Sequence, residues 1–458
     1  MSDSLPATSS IDRKTWRAGT LTYTAGGLVL VFIWLLLGDF SWQMKERGTQ
    51  PVVQVMLRQF QASDFLTGFL VVALPAVIGI FLTPIISYRS DRHRGRWGRR
   101  IPFLLFTAPL TTLAMVGMAF SPLIGAWINR YLGHGPESLN LTVILVLGVC
   151  WTLLDIATVV ATALFGALVN DVVPRELIGR FYGFFRVVSL LAGILFNKFV
   201  IGHSQGHYIL ILAGIGVLFG VGITLMCLMV KEGEYPPPPE PVPGEKRGFI
   251  VAVKTYARDC FTKPHYLWIF ASMGLAQLAM TPVNTFAVFT AGSFGMSLET
   301  YGNYLAVMYT CSLLLAYPLG WMADRFHAVR MALWSLAIYT VVMVVGYFYI
   351  SGPTSFGWIF LAHGVLGGCY FTGAAAYGQM LFPKLKYAEY ASAGALLLAL
   401  GNIILGLAMG KLLDLLDHNY RYTFALGGVI ALLAVIASWV VYRRFLAMGG
   451  KQGYVAPE

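Results

Sequence analysis

Two carboxylates stand in strongly apolar surroundings. Asp39 lies in Gly38-Asp39-Phe40-Ser41-Trp42-Gln43, and Asp155 lies in Trp151-Thr152-Leu153-Leu154-Asp155-Ile156-Ala157-Thr158. Carboxylates make charge-assisted hydrogen bonds to hydroxyl groups, and an indole offers a flat apolar face to a sugar ring. Asp39, Trp42, Gln43, Trp151 and Asp155 therefore form a set suited to a polyhydroxy solute. A carboxylate held away from water can also take up and release a proton during a cycle, which suits Asp39, Glu46 and Asp155. Softer candidates follow later in the chain. Gln277, Thr281 and Asn284 are spaced to share one helix face, Tyr301, Tyr304 and Tyr309 line another helix, and Tyr370 and Asn402 sit inside apolar runs. Each has a structural alternative. Asp39 can belong to an outside loop, Asp155 can neutralise a buried cation, and Lys45, Glu46 and Arg47 can form local pairs. Tyrosines often anchor helix ends at an interface, and Asn or Gln between helices often serves packing. His363 reads as structural.

These residues carry chemistry only if the chain holds them in a membrane, where an ionisable side chain costs at least about 2.5–3.5 kcal/mol. The composition says that it does. Of 458 residues, 57% are hydrophobic and 12% charged. Mean hydropathy is +0.69. A soluble chain is roughly 25% charged, so a cytosolic enzyme, a disordered scaffold and a nucleic-acid-binding domain are excluded, and no nucleic-acid partner is expected. The net charge of +11 reads as basic cytoplasmic loops that set topology. Five scattered cysteines without CxxC spacing argue against a disulfide framework or a zinc site. No HExxH, GxSxG or GxxxxGK[ST] string occurs, so neither an enzyme nor an ATP-driven pump is indicated, and no cofactor or metal is expected. The polar Met1–Trp16 stretch is not a secretory signal.

A helix needs about 20 apolar residues to cross the hydrocarbon core. Twelve segments qualify, near 21–55, 65–87, 101–121, 141–169, 181–202, 208–230, 265–291, 299–322, 330–350, 357–381, 390–414 and 421–446. The expected fold class is an all-α membrane protein of two six-helix bundles. The first helix is expected to run unbroken to about Met56, which puts Asp39 inside it. The basic loops fall on one side if both termini are cytoplasmic: Arg89–Arg100, Arg175 and Arg180, the Lys231–Lys263 connection, Lys384 and Lys386, and Arg443 and Arg444. The plasma (inner) membrane is the expected location. The connection contains Pro236–Pro239 among glutamates, which reads as a semi-rigid linker. The boundaries are a segment 1–20, a bundle 21–230, a linker 231–263, a bundle 264–446 and a tail 447–458. The halves echo one another: Asp91-Arg92 follows helix 2 and Asp324-Arg325 follows helix 8, while Pro174-Arg175-Glu176 follows helix 4 and Pro383-Lys384 follows helix 10.

The most specific string is Ser90-Asp91-Arg92-His93-Arg94-Gly95-Arg96-Trp97-Gly98-Arg99-Arg100-Ile101-Pro102-Phe103. It resembles the 2–3 loop signature of the major facilitator superfamily, most closely in the form found in glycoside–pentoside–hexuronide:cation symporters and sucrose-type transporters. Gly320-Trp321-Met322-Ala323-Asp324-Arg325 resembles its second-half copy. The resemblance implies the twelve-helix fold, a sugar or glycoside substrate, carboxylates on helices 1 and 4 facing a central cavity, and membrane lipid around a monomer. It also implies a cytoplasmic gate, for which Asp91, Arg92, Arg99, Arg100, Glu176, Arg180, Arg186, Asp324 and Arg325 are the candidates. The family's cation site places two carboxylates one turn apart on helix 2. Residues 65–87 here contain neither Asp nor Glu, so proton coupling is expected rather than sodium. Pigment or lipid delivery by a non-transporting protein of this fold, or a permease for a muropeptide, is the alternative.

Overall fold

The computed structural model describes residues 15–235, 258, 260–383 and 386–457; the side chains of Asp91 and Asp324, Lys384 and the Pro236–Pro239 stretch lie outside the described residues. Among these, twelve helices are long and apolar enough to cross a membrane: spans 1–6 at Ala25–Gln59, Asp64–Ser90, Ile101–Ala119, Pro136–Val172, Ile178–Phe199 and Ile201–Met229, and spans 7–12 at Pro264–Ser293, Leu298–Met322, Ala328–Tyr349, Pro353–Leu381, Glu389–Leu415 and Arg421–Ala447. Within lipid a helix satisfies every backbone group internally, so apolar runs of this length have no other stable form. The only strands among the described residues, β1 (Trp16–Ala18) and β2 (Leu21–Tyr23), make a short antiparallel hairpin before span 1.

Span 1 is one continuous helix from Ala25 to Gln59, as expected, with Asp39 inside it. Span 2 is not regular. Residues Phe69–Ala73 form a π-helical turn immediately before Pro75. Proline lacks the N–H that would continue the α pattern, and the wider turn absorbs the defect.

Packing follows a two-fold pattern. Span 1 packs on spans 5 and 6 while span 7 packs on 11 and 12; span 3 packs on 4 and 6 while span 9 packs on 10 and 12; span 2 packs on 4 while span 8 packs on 10. Between halves, span 2 meets span 11 and span 5 meets span 8, pairs that such a two-fold exchanges. The bundle has a basic end, which carries the Arg89–Arg100 loop, and an opposite far end. One apolar cluster runs through both halves and takes from the first half mainly its far-end residues, including Val52–Leu57 of span 1, Ala114–Ala119 of span 3 and Ile211–Ile215 of span 6. The other is confined to the basic end of the first half, with Leu104, Leu164, Phe181 and Met226. The halves thus share a core at the far end only.

Where spans 2 and 11 cross, the contact is bare backbone. A Cβ on Gly410 would lie 2.4 Å from the Asp64 carbonyl, and one on Gly68 would lie 2.1 Å from the Gly406 carbonyl. Small residues let membrane helices approach this closely.

Candidate functional site

Halfway through the bundle, span 1 presents polar residues at about one-turn intervals. Asp39, Gln43 and Arg47 follow one face, and span 5 supplies Ser189 opposite them. Gln43 Nε2 donates to Asp39 Oδ1 at 3.0 Å, Ser189 Oγ donates to Gln43 Oε1 at 2.9 Å, and Arg47 Nη2 donates to Ser189 Oγ at 3.2 Å. Arg47 Nη1 then donates to the Tyr309 hydroxyl of span 8 at 3.2 Å, with the guanidinium 4.9 Å from that ring's centroid. The chain of contacts begins in the first half and ends in the second.

A second group lies on the neighbouring face. Lys45 is buried, pairs with Glu46, donates to Thr158 Oγ1 of span 4 at 3.1 Å and sits 4.3 Å from the Trp42 ring centroid. Trp42 in turn stacks on Phe165. Asp155, one turn before Thr158, feels both Lys45 and Glu46. Three ionic atoms in this region are buried without a hydrogen-bond partner: Asp39 Oδ2, Asp155 Oδ2 and Arg47 Nε. Such atoms are rare in folded proteins, and each calls for an explanation. By contrast, the Glu46 side chain is 42% exposed and Arg186 is exposed. Charged groups at this depth cannot face lipid cheaply, which argues that this face of the bundle meets water.

The remaining candidates are placed differently. Trp151 is packed between spans 2 and 4, with Nε1 donating to the Leu70 carbonyl at 2.8 Å. Asn284 Oδ1 lies 3.0 Å from His363 Nε2, and His363 Nδ1 lies 2.9 Å from the Tyr339 hydroxyl; His363 and Tyr339 are buried inside the second half, whereas Asn284 is exposed. Thr281 Oγ1 lies 3.5 Å from Asn402 Oδ1 and 3.3 Å from the Gln277 carbonyl, linking spans 7 and 11. Tyr370 is buried in the second-half core.

The basic end holds a separate cluster. Arg99 grips Asp171 through Nε and Nη2, at 3.1 and 2.7 Å, and Arg100 Nε lies 3.5 Å from the same carboxylate. The Glu232 carboxylate accepts the backbone N–H groups of Arg99, Arg100 and Ile101 at 2.9, 2.8 and 2.7 Å, capping span 3. The Tyr235 hydroxyl sits 3.1 Å from Asp171 and 3.0 Å from Glu232. Burial and these acids hold the phenol well above its ordinary ionisation range. All of these partners belong to the first half or the start of the linker. Arg92 covers the Tyr88 ring, Arg325 lies over Trp321, and Glu176 and Arg180 are exposed. Arg186 is not with them: it sits eight residues into span 5, where Arg47 and Tyr309 act on it.

At the far end, Asp64 of span 2 is buried and accepts from His418 Nδ1 at 2.7 Å and the Tyr420 hydroxyl at 3.0 Å. Asp414 of span 11 accepts the N–H groups of Asp64 and Phe65 at 2.8 and 3.0 Å. Gln54 Nε2 donates to the Thr285 carbonyl, and Lys198 Nζ to Asn303, also across the halves. No local spacing or motif marks this cluster, nor Ser189, Thr158 or Asp171. Asp64 behind Ser63 reads as an ordinary helix start, and the other residues are defined only by partners far along the chain.

A family described as "MFS/sugar transport protein" matches residues 58–390. The chain is similar to the general alpha-glucoside permease of Schizosaccharomyces pombe, 28% identical over 233 residues that cover 44% of this chain and 41% of that protein. It is also similar to mouse solute carrier family 45 member 4, 27% identical over 224 residues, 45% of this chain and 27% of that protein. The chain thus matches less than half the length of either relative. In fold it is similar to a bacterial homologue of the iron transporter ferroportin in an inward-facing state (TM-score 0.68, 16% identity, 90% of this chain and 99% of that one). The inward-open xylose transporter XylE from E. coli is also similar (TM-score 0.64, 14% identity, 90% and 96%).

Proposed function

The chain belongs to the MFS/sugar transport protein family, and from that premise we propose that it is a secondary active transporter that carries a sugar or glycoside across the membrane by alternating access, coupled to protons. The observation that carries this reading is the set of unpartnered ionic atoms at mid-bundle, Asp39 Oδ2, Asp155 Oδ2 and Arg47 Nε. They lie beside exposed Glu46 and Arg186. Hydroxyl groups of a bound sugar supply the missing partners, and the Trp42 indole lies one turn from Asp39. Residues 65–87 offer no acid pair for a sodium ion, so Asp39, Glu46 and Asp155 are the proton-carrying candidates.

The positive-inside rule assigns the basic end, and with it both termini, to the cytoplasm of a plasma (inner) membrane. The shared core and the cross-half bonds at the far end then correspond to a carrier closed outside and open inside. The Arg99–Asp171–Glu232 cluster braces the cytoplasmic end of the first half, and the protein works as a monomer in lipid.

The test is uptake of labelled mono- and disaccharides into proteoliposomes with and without an imposed pH gradient. Saturable, gradient-stimulated uptake is expected, and Asp155→Asn lowers it by about tenfold or more, the loss of one charge-assisted bond. Absence of uptake for every sugar, together with tight binding of lipid or pigment, overturns the reading.

A further inference from the structure

Lys45 is buried at mid-bundle, with its side chain 3% exposed, in surroundings that hold more acid than base. Its Nζ pairs with Glu46, donates to Thr158 Oγ1 of span 4 at 3.1 Å and faces the Trp42 ring, whose centroid is 4.3 Å away. Asp155 stands three residues before Thr158 and so shares its face of span 4. It lies in the attractive field of Lys45 and the repulsive field of Glu46, and its buried Oδ2 has no hydrogen-bond partner. Two carboxylates thus flank one ammonium, one exposed to solvent and the other sealed inside. The next cation along span 1 serves another group: Arg47 attracts Asp39, and its Nη atoms donate to Tyr309 and Ser189.

Two carboxylates with a hydroxyl between them are hard oxygen donors, the kind that hold a hard metal cation. Here the chain fills that place from within. The flexible four-carbon stem of lysine delivers a compact point charge, and the face of the Trp42 ring supports it. An ammonium out of water is stable only where acids and acceptors surround it. A metal ion entering the same space would have to displace a charge that cannot diffuse away. One positive charge against two negative ones leaves a single charge for a proton to balance.

Resting on the transport reading above, we infer that Lys45 is a tethered counter-cation: its ammonium occupies the position that a sodium or lithium ion would take among Glu46, Thr158 and Asp155, and so restricts the carrier to protons. Residues 65–87 carry no acid pair, and Lys45 closes the place at mid-bundle where two acids do approach each other. It acts as a positioning and ion-selecting residue. Removing it turns the three oxygen-bearing side chains into a site for an alkali cation.

The experiment measures the unfolding temperature in detergent in sodium, lithium or choline chloride at equal ionic strength. It compares the native protein, Lys45→Ala, Lys45→Ser and the double variant of Lys45→Ala with Glu46→Gln. Uptake of labelled glucose, sucrose and maltose into proteoliposomes is followed in the same salts at one pH. The native protein is expected to melt at one temperature, and to take up sugar at one rate, in all three. Lys45→Ala loses about tenfold or more of its uptake in choline. Sodium or lithium restores most of that loss and raises the unfolding temperature, because an ion that binds only the folded state stabilises it. Lys45→Ser behaves in the same way, and the added Glu46→Gln abolishes the response, which a mere packing role for Lys45 does not predict. Stimulation of the native protein by sodium, or two single variants whose melting ignores the cation, overturns the inference and leaves the carrier reading intact. Failure of both single variants to fold in any salt makes the ammonium structural and overturns it as well. If the native protein takes up none of the sugars, the carrier reading fails, and the melting temperatures alone decide whether Lys45 holds the place of a cation.

Discussion

Carboxylates, basic side chains and a tyrosine are clustered at both ends of the bundle, and the two clusters hold different things together. At the basic end, Arg99, Arg100, Asp171, Glu232 and Tyr235 tie the 2–3 loop to the end of span 4 and the start of the linker, all on one side of the molecule's division. At the far end, Asp64, Asp414, His418 and Tyr420 tie span 2 to span 11 and its following loop, residues some 350 positions apart. A bond inside one rigid unit survives when two units rock; a bond between them must break and reform at every turn of the cycle. The first kind contributes to folding stability, and the second sets the balance between conformations.

Three experiments sharpen or break that distinction. All use Thr285→Cys in a background freed of the five native cysteines. Thr285 is buried at the far-end seam, where its carbonyl accepts from Gln54, so a membrane-impermeant maleimide reports opening. The largest effect is expected from Gly410→Ala. The new methyl meets the backbone of Asp64 and Phe65, neither of which can swing aside, and overpacking of this sort costs roughly 1–3 kcal/mol. Labelling rises by about tenfold or more; no increase would mean that the seam is not what closes the far end. Next comes Asp171→Asn, which removes the bidentate carboxylate partner of Arg99. Stability falls by about 1–2 kcal/mol, read as a lower unfolding temperature, while Thr285→Cys labelling stays as it was. A change in labelling would erase the difference between the ends.

The smallest effect is that of pH. The bond to Asp64, with Asp414 and Asp417 adding to it, raises the His418 imidazole above its ordinary value of 6.5. A raised base stabilises the joined state fully below that ordinary value and loses its contribution as pH climbs through the raised one. His418 is 57% exposed, so screening keeps the effect to a few-fold. Labelling should increase modestly between about pH 6 and 8, and His418→Gln should flatten the curve. An opposite slope would remove His418 from the closure.

Much of this architecture is legible in the sequence because lipid allows few solutions. Apolar run length gives the spans, and rough helical spacing through Phe40, Met44 and Val52 correctly carries span 1 past Asp39. What the chain does not reveal is which faces meet. Trp151 has the look of a stacking platform, yet its N–H is committed to Leu70. Asn284 shares a helix face with Gln277, yet His363 occupies it. Arg186 reads as a loop-proximal gate residue and stands instead beside Arg47. In each case the deciding partner comes from another helix, 81, 79 or 139 positions away in sequence, and periodicity within one helix carries no information about it.

The glycine contacts between spans 2 and 11 bear on speed as well as on balance. Where Gly68, Gly406 and Gly410 bring main chain against main chain, no interlocked side chains have to withdraw before the surfaces separate, and none has to find its rotamer again when they rejoin. Parting and rejoining at such a joint need no repacking step, so under the carrier reading proposed above the polar ties at its rim, and not friction along its length, set its pace.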